Sequence, residues 1–257
     1  MASSWAISLR WIRSRQWKNG LLTVEKHKEP AMSRYLILRL DGPMQAWGTH
    51  TFEDFRPSNL FPTRSGLLGL LGACLGIDRH DHTGLEQLAA SVEFTVRADR
   101  TVLRPEPDQP MPKSAVKLPD FHTVLDARKV DGSRNKNPVV SRREYLFDAA
   151  FTVAIGAKPN ATVTLEAIAD ALRRPYFTPV LGRRSCPITR PLLEGEAIEA
   201  SDAKAALAST LPAGGLIFAE GDLRSGQPMR MRDVPMHGRN RQFGTRLVYV
   251  HKESSCS

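Results

Sequence analysis

The sequence predicts an α+β fold, and three observations carry that expectation. Apolar runs of strand length occur at 34–40, 92–98 and 144–155. Two other segments, 62–77 and 165–174, space their apolar residues at helical intervals. A Pro-rich, basic excursion over 104–143 separates the second strand from the third. The bulk agrees, since 41% hydrophobic and 25% charged residues in a 257-residue chain exclude a collagen-like or disordered protein.

The first strand is RYLILRL (34–40), a continuous apolar run closed by Asp41-Gly42-Pro43, the pattern of a buried strand. A loop follows to about residue 62. In PTRSGLLGLLGACLGI (62–77), Thr63 or Ser65 caps a helix, because a hydroxyl there accepts from unpaired backbone N–H groups. Leu67, Leu68, Leu71 and Leu75 form its apolar stripe. Gly66, Gly69 and Ala73 form a small face, which predicts close packing on a sheet because each glycine costs roughly 1 kcal/mol of helix propensity. VEFTVRA (92–98) alternates as a strand. The excursion 104–143 holds six prolines and reads as a mobile loop or a protruding hairpin, a thumb. EYLFDAAFTVAI (144–155) returns to strand. Thr164 then caps LEAIADALRR, with Leu165, Ile168, Ala169 and Leu172 on one face, and Pro175 ends it. Short strands follow at 177–181, 214–220 and 246–250. The order to residue 181 is strand, helix, strand, excursion, strand, helix, strand. That is the order of a ferredoxin-like (RRM-like) domain, expected over 32–181, with a small mostly-β C-terminal domain over 182–257.

The net charge of +9 is unevenly distributed. Residues 1–31 carry six bases against two acids and three of the four tryptophans, with no continuous apolar run of signal-peptide type. They read as a disordered extension ahead of Met32. Residues 113–143 carry eight bases against three acids, and 173–190 five bases and no acid. Residues 223–252 carry seven bases against Asp233. Arginine prevails in these stretches, and its planar fork pairs bidentately with phosphate and stacks on bases. The segregation points to a nucleic-acid partner.

Other classes are excluded. The apolar run 67–77 is too short to span a bilayer. Three widely spaced cysteines make neither a disulfide framework nor a zinc site, so a reducing compartment is expected. No phosphate-cradling, dinucleotide-binding or zinc-protease motif occurs, so no cofactor and no metal is expected, and His80 and His82 read as a polar turn. The Arg64-Ser65-Gly66 helix start is a possible phosphate site. Lys117, His122 and Tyr145 flank the excursion. Should they converge, they have the chemistry to deprotonate a ribose 2′-hydroxyl and stabilise the phosphorane, that is, metal-independent RNA cleavage.

Four segments, YLILRLDGPMQAWG (35–48), FPTRSGLLGLLGACLGI (61–77), REYLFDAAFTVA (143–154) and TPVLGRRSCPITRPL (178–192), resemble in order and spacing the fifth-class Cas subunits of type I-E CRISPR Cascade complexes, in the RAMP superfamily. The resemblance covers about residues 32–250; the leader has no counterpart in it. It implies a non-catalytic, RNA-binding protein of the bacterial cytoplasm that holds the 5′ handle of CRISPR RNA in antiviral defence. It implies partnership with the backbone subunit CasC and the large subunit CasA, no membrane, and RNA processing by a separate subunit, CasE. The expected RNA contacts are Arg64 and Ser65 at the helix start, Lys117 and His122 in the thumb, Arg142, Arg143 and Tyr145 at its return, and Arg183, Arg184 and Ser185 in the basic loop. Two alternatives stay open: a processing endoribonuclease, as in a subtype I-C relative, and a protein-interaction scaffold without RNA contact.

Overall fold

The computed structural model describes residues 32–99, 102–103, 115–211, 215–221, 226–238 and 242–252. The leader 1–31 and the 104–114 part of the excursion lie outside them. The chain opens with β1 (Ser33–Asp41) and four two-residue strands, β2 (Met44–Gln45), β3 (Trp47–Gly48), β4 (Phe55–Arg56) and β5 (Ser58–Asn59). Helices α1 (Arg64–Leu75) and α2 (His82–Ser91) lead to β6 (Val92–Ala98) and β7 (Val102–Leu103). Then come β8 (Ala115–Val124), β9 (Val139–Phe147), β10 (Ala150–Ala157) and α3 (Leu165–Arg173). The chain finishes with β11 (Ile198–Ala200), α4 (Ala203–Ala208), β12 (Leu216–Ala219), β13 (Gln227–Pro235) and β14 (Phe243–Lys252). The fold is α+β with strands dominant.

A seven-stranded antiparallel sheet runs β11-β1-β10-β6-β12-β14-β13. The run in β1 is continuous because both of its faces are covered. Leu36, Leu38 and Leu40 join the main core with α1, α2 and α3, while Ile37 joins a second cluster with Ala206 and Leu207 of α4. Thr63 is the α1 N-cap, its hydroxyl accepting from Gly66 N at 3.3 Å. The α1 glycines do not line the sheet as expected. A side chain at Gly66 would strike the Trp47 ring at 2.8 Å, Gly72 faces Leu85 of α2, and Gly69 is exposed.

Three expectations are corrected. Residues 177–181 form no sheet strand; the place beside β1 belongs to β11, with Tyr35 opposite Ile198. The amides of Tyr176 and Phe177 instead donate to the α1 carbonyls of Cys74 and Ala73, at 2.9 and 3.0 Å, and Pro179 has no N–H to offer a ladder. The run 144–155 is two strands in two sheets, broken at Asp148, whose φ is +53°. Buried Gln45 secures the break, its amide donating to Leu40 O and Ala149 O at 3.0 and 2.7 Å. The strands beyond residue 182 form no sheet of their own, because β12, β14 and β13 extend the main sheet from β6.

Two short helices, α2 and α4, were not foreseen. Asp81, in the His80–His82 turn, caps α2 by accepting from Gly84 N at 2.9 Å. On the α4 face, fully buried Arg97 donates to Leu207 O at 2.6 Å and Thr210 O at 2.9 Å, and pairs with Asp99. Arg39 also joins Asp99, with Thr152 between them. Helix α4 and this buried polar network cover part of this sheet face.

Candidate nucleic-acid interface

From residue 115 onward the excursion is a hairpin. Strands β8 and β9 pair from Val116↔Phe147 to Val124↔Val139, and β4 lies parallel against the other edge of β9. Side chains alternate between faces along a strand. One face therefore carries Leu118, Asp120 and His122 with Tyr145, Arg143 and Ser141. The opposite face carries Lys117, Pro119 and Phe121 with Leu146, Glu144 and Arg142.

The basic loop 181–187 packs against the first face. Leu181 N donates to Cys186 O and Cys186 N to Arg183 O, both at 2.8 Å, with Leu181 and Cys186 fully buried. Gly182 has φ +89°, and a Cβ there would lie 1.8 Å from Ala46 O, so only glycine lets the loop sit this close to the chain before Trp47. Arg183 fastens the loop to the hairpin. It donates to Glu144 O at 3.1 Å and Arg56 O at 2.8 Å, with its guanidinium carbon 4.9 Å from the Tyr145 ring centroid.

Four predicted residues converge here. The buried Tyr145 hydroxyl lies 3.3 Å from His122 Nε2 and 3.4 Å from Ser185 Oγ, beside Arg183. Asp120, which the sequence reading overlooked, holds His122 Nε2 at 2.8 Å. Strand alternation over 115–124 was the available signal, since it puts residues 120 and 122 on one face. Arg143, on the same face, donates to Ser141 Oγ at 3.1 Å. Arg184 and Ser185 are exposed at the loop apex, and the Arg184 side chain has no partner among the described residues. Arg142 is exposed on the opposite face.

The structure draws three residues away from this site. Lys117 is buried on the far face, donating to Ser58 O at 2.7 Å and paired with Glu144 at 2.5 Å, so Lys117, His122 and Tyr145 do not converge. Arg64 is buried and paired with Glu220 at 2.5 Å, and it also donates to Ala89 O at 2.6 Å. The α1 N-terminus already holds an anion of the chain's own, because Arg64 N donates to Asp233 at 2.7 Å and Asp233 is clamped by Arg246. These pairs tie β13 and β14 to α1. Ser65 stays at that helix start, its hydroxyl 3.4 Å from Thr63 Oγ1.

Both described cysteines are free and buried. Burial pushes the Cys74 thiol up to about 11 and raises Cys186 as well. No group of three or more His, Cys, Asp or Glu suited to a metal occurs among the described residues. Two open clefts of about 620 and 650 Å³ share Glu93 and Lys158 and take no residue from the hairpin. Among the described residues, no helix is long and apolar enough to cross a membrane.

A strand-rich α+β core, a basic hairpin and an arginine loop held against it describe a class defined by sequence as well as by shape. Residues 35–249 match the family described as CRISPR-associated protein (Cas_Cas5), and the chain belongs to that family. It is homologous to the CRISPR system Cascade subunit CasD of Escherichia coli (strain K12), with 48% identity over 224 residues, 86% of this chain and 97% of the relative. A solved chain from a CRISPR RNA-guided surveillance complex superposes with a TM-score of 0.66 at 30% identity, covering 85% of this chain and 90% of that one. A second, a crystal structure of a Cas protein, gives 0.57 at 26% identity over 85% and 94%.

Proposed function

We propose that this chain is a non-catalytic subunit of a type I-E Cascade complex, holding the 5′ handle of CRISPR RNA where the arginine loop meets the hairpin. The observation that carries this reading is the convergence of Arg183, Ser185, Tyr145 and His122 beside the exposed Arg184. Arg184 and Arg143 supply charge for phosphates, while His122 and Ser185 supply hydrogen-bonding groups for a base or a 2′-hydroxyl. Arg183 acts by positioning the loop. Homology to a Cascade subunit supports partnership with CasC and CasA and a bacterial cytoplasmic setting. Strands β11-β1-β10-β6 are all antiparallel, with α1 and α2 between β1 and β6 and α3 between β10 and β11. We read them as a ferredoxin-like core and the β8–β9 hairpin as its thumb.

The placement of Lys117 favours the non-catalytic reading over a processing ribonuclease, because the expected Lys117, His122 and Tyr145 set is split between the two faces of the hairpin. Repeat RNA incubated with the protein in EDTA should stay intact, and specific cleavage lost in His122→Ala would overturn this. Arg184→Ala should weaken handle RNA binding and crosslinking. Crosslinking unchanged in Arg184→Ala would favour the scaffold alternative.

A further inference from the structure

The hairpin face turned away from Tyr145 carries an arrangement that the handle site does not use. Strand β9 runs between β8 and β4, and Arg142 lies directly opposite Phe121 on one side and Phe55 on the other. Directly opposed residues in a sheet point to the same face, with strands about 4.8 Å apart. Phe55, Arg142 and Phe121 therefore form a row across three strands, ring, guanidinium, ring. Phe121 is 63% exposed, Phe55 37%, and Phe52, bridged to Phe55, 68%. Arg142 is exposed, and its side chain has no ion pair or hydrogen bond among the described residues.

Clustered exposed rings point to a partner. The charge says which kind. The row has at its centre a cation with no partner among the described residues, and Glu144, two positions along β9 on this face, is paired with Lys117. The surrounding stretch 113–143 carries eight bases against three acids. Flat rings interleaved with arginine are the chemistry of unpaired-base binding, where rings take base faces and guanidinium takes phosphate or stacks. We propose that the Phe55–Arg142–Phe121 row is a stacking platform for unpaired nucleobases. It would let single-stranded RNA engage both faces of the hairpin. The inference rests on the RNA-binding reading above but concerns a separate surface. Stacking tolerates any base, so the platform selects single strands over duplex rather than one sequence.

The test uses the full chain and a 12-nucleotide RNA carrying 2-aminopurine, whose fluorescence is quenched by stacking, alone and annealed to its complement. The single strand should bind with quenching. Phe55→Ala and Phe121→Ala should each weaken single-strand binding about tenfold and reduce the quench, with the duplex little affected. Arg184→Ala should weaken binding yet keep the quench at saturation. Both phenylalanines are exposed, so unchanged melting temperatures would verify that the variants fold. Wild-type protein that binds no RNA would overturn the RNA reading itself. Wild-type binding with affinity and quench unchanged in the double Phe variant would overturn the platform alone. So would a double variant that keeps RNA affinity but fails to join its protein partners, since the row would then be a protein contact.

Discussion

Arg183 lies with its guanidinium carbon 4.9 Å from the centre of the Tyr145 ring while donating to two backbone carbonyls, Glu144 O and Arg56 O. One side chain thus joins the arginine loop, β9 and β4. Lysine cannot reproduce both the planar contact and the two-carbonyl fork. Arg183→Lys should therefore behave much like Arg183→Ala, each lowering RNA affinity about tenfold, an effect of about 1.4 kcal/mol. Lysine restoring wild-type affinity in filter binding would show that charge alone matters at this position.

Arg184 predicts a different signature. It is exposed and has no partner among the described residues, so its loss should remove one phosphate contact without disturbing the loop. The slope of log affinity against log salt should flatten by about 0.7 in Arg184→Ala, the value for one phosphate on a single strand. Titrations across a salt series check this, and an unchanged slope would count against phosphate contact there.

Lys117 should matter for stability. Removing it strands the Glu144 carboxylate in a site where both side chains are largely buried. Lys117→Ala should lower unfolding stability by about 3 kcal/mol, and adding Glu144→Gln should recover part of the loss. Denaturant melts of the two variants measure it. A Lys117→Ala protein of wild-type stability would mean that the pair contributes little.

Gly182→Ala should be among the most damaging single-methyl changes in the chain. It forces a side chain into positive φ and against Ala46 O. A loss of at least about 2 kcal/mol is expected, together with weaker RNA binding, because the loop can relieve the clash only by moving off the hairpin. Thermal melts and RNA titrations test both effects.

Glu93 gives a pH-dependent prediction. Burial, and then repulsion from Glu220, raises its pKa, although Lys158 and Arg64 pull the other way. An acid whose folded pKa is raised loses stability as pH climbs from the unfolded value through the folded one. Glu93→Gln removes that loss. Its melting temperature should match wild type at about pH 3, where Glu93 is protonated in both states, and exceed it at pH 7. A difference of the opposite sign at pH 7 would show that the attraction to Lys158 and Arg64 prevails.

Much of the core was legible in the sequence because it follows local rules. The buried faces of β1, α1 and α3 lie where apolar spacing puts them, and Thr63 and Thr164 cap their helices as hydroxyls before an apolar run should. Helix α2 was hidden because its apolar signal is weak: only Leu88 among its larger side chains is fully buried. The run 144–155 concealed a change of sheet because the break at Asp148-Ala149 leaves the apolar pattern intact on both sides.

The sequence by itself determined the fold class, the main helices, the charge segregation and the family, through composition, periodicity and four long motifs. It also marked the arginine loop and the hairpin by their concentration of positive charge. Only the tertiary structure decided which of the charged residues are free. Arg64 and Lys117 resemble Arg184 in a sequence, yet burial beside Glu220 and Glu144 makes them internal counter-ions, while Arg184 is exposed with no partner among the described residues. Pairing across strands also set Arg142 between Phe55 and Phe121, residues 87 and 21 positions away in the chain. A charge's availability depends on the partners that folding brings to it, and these come from distant segments that no local pattern records.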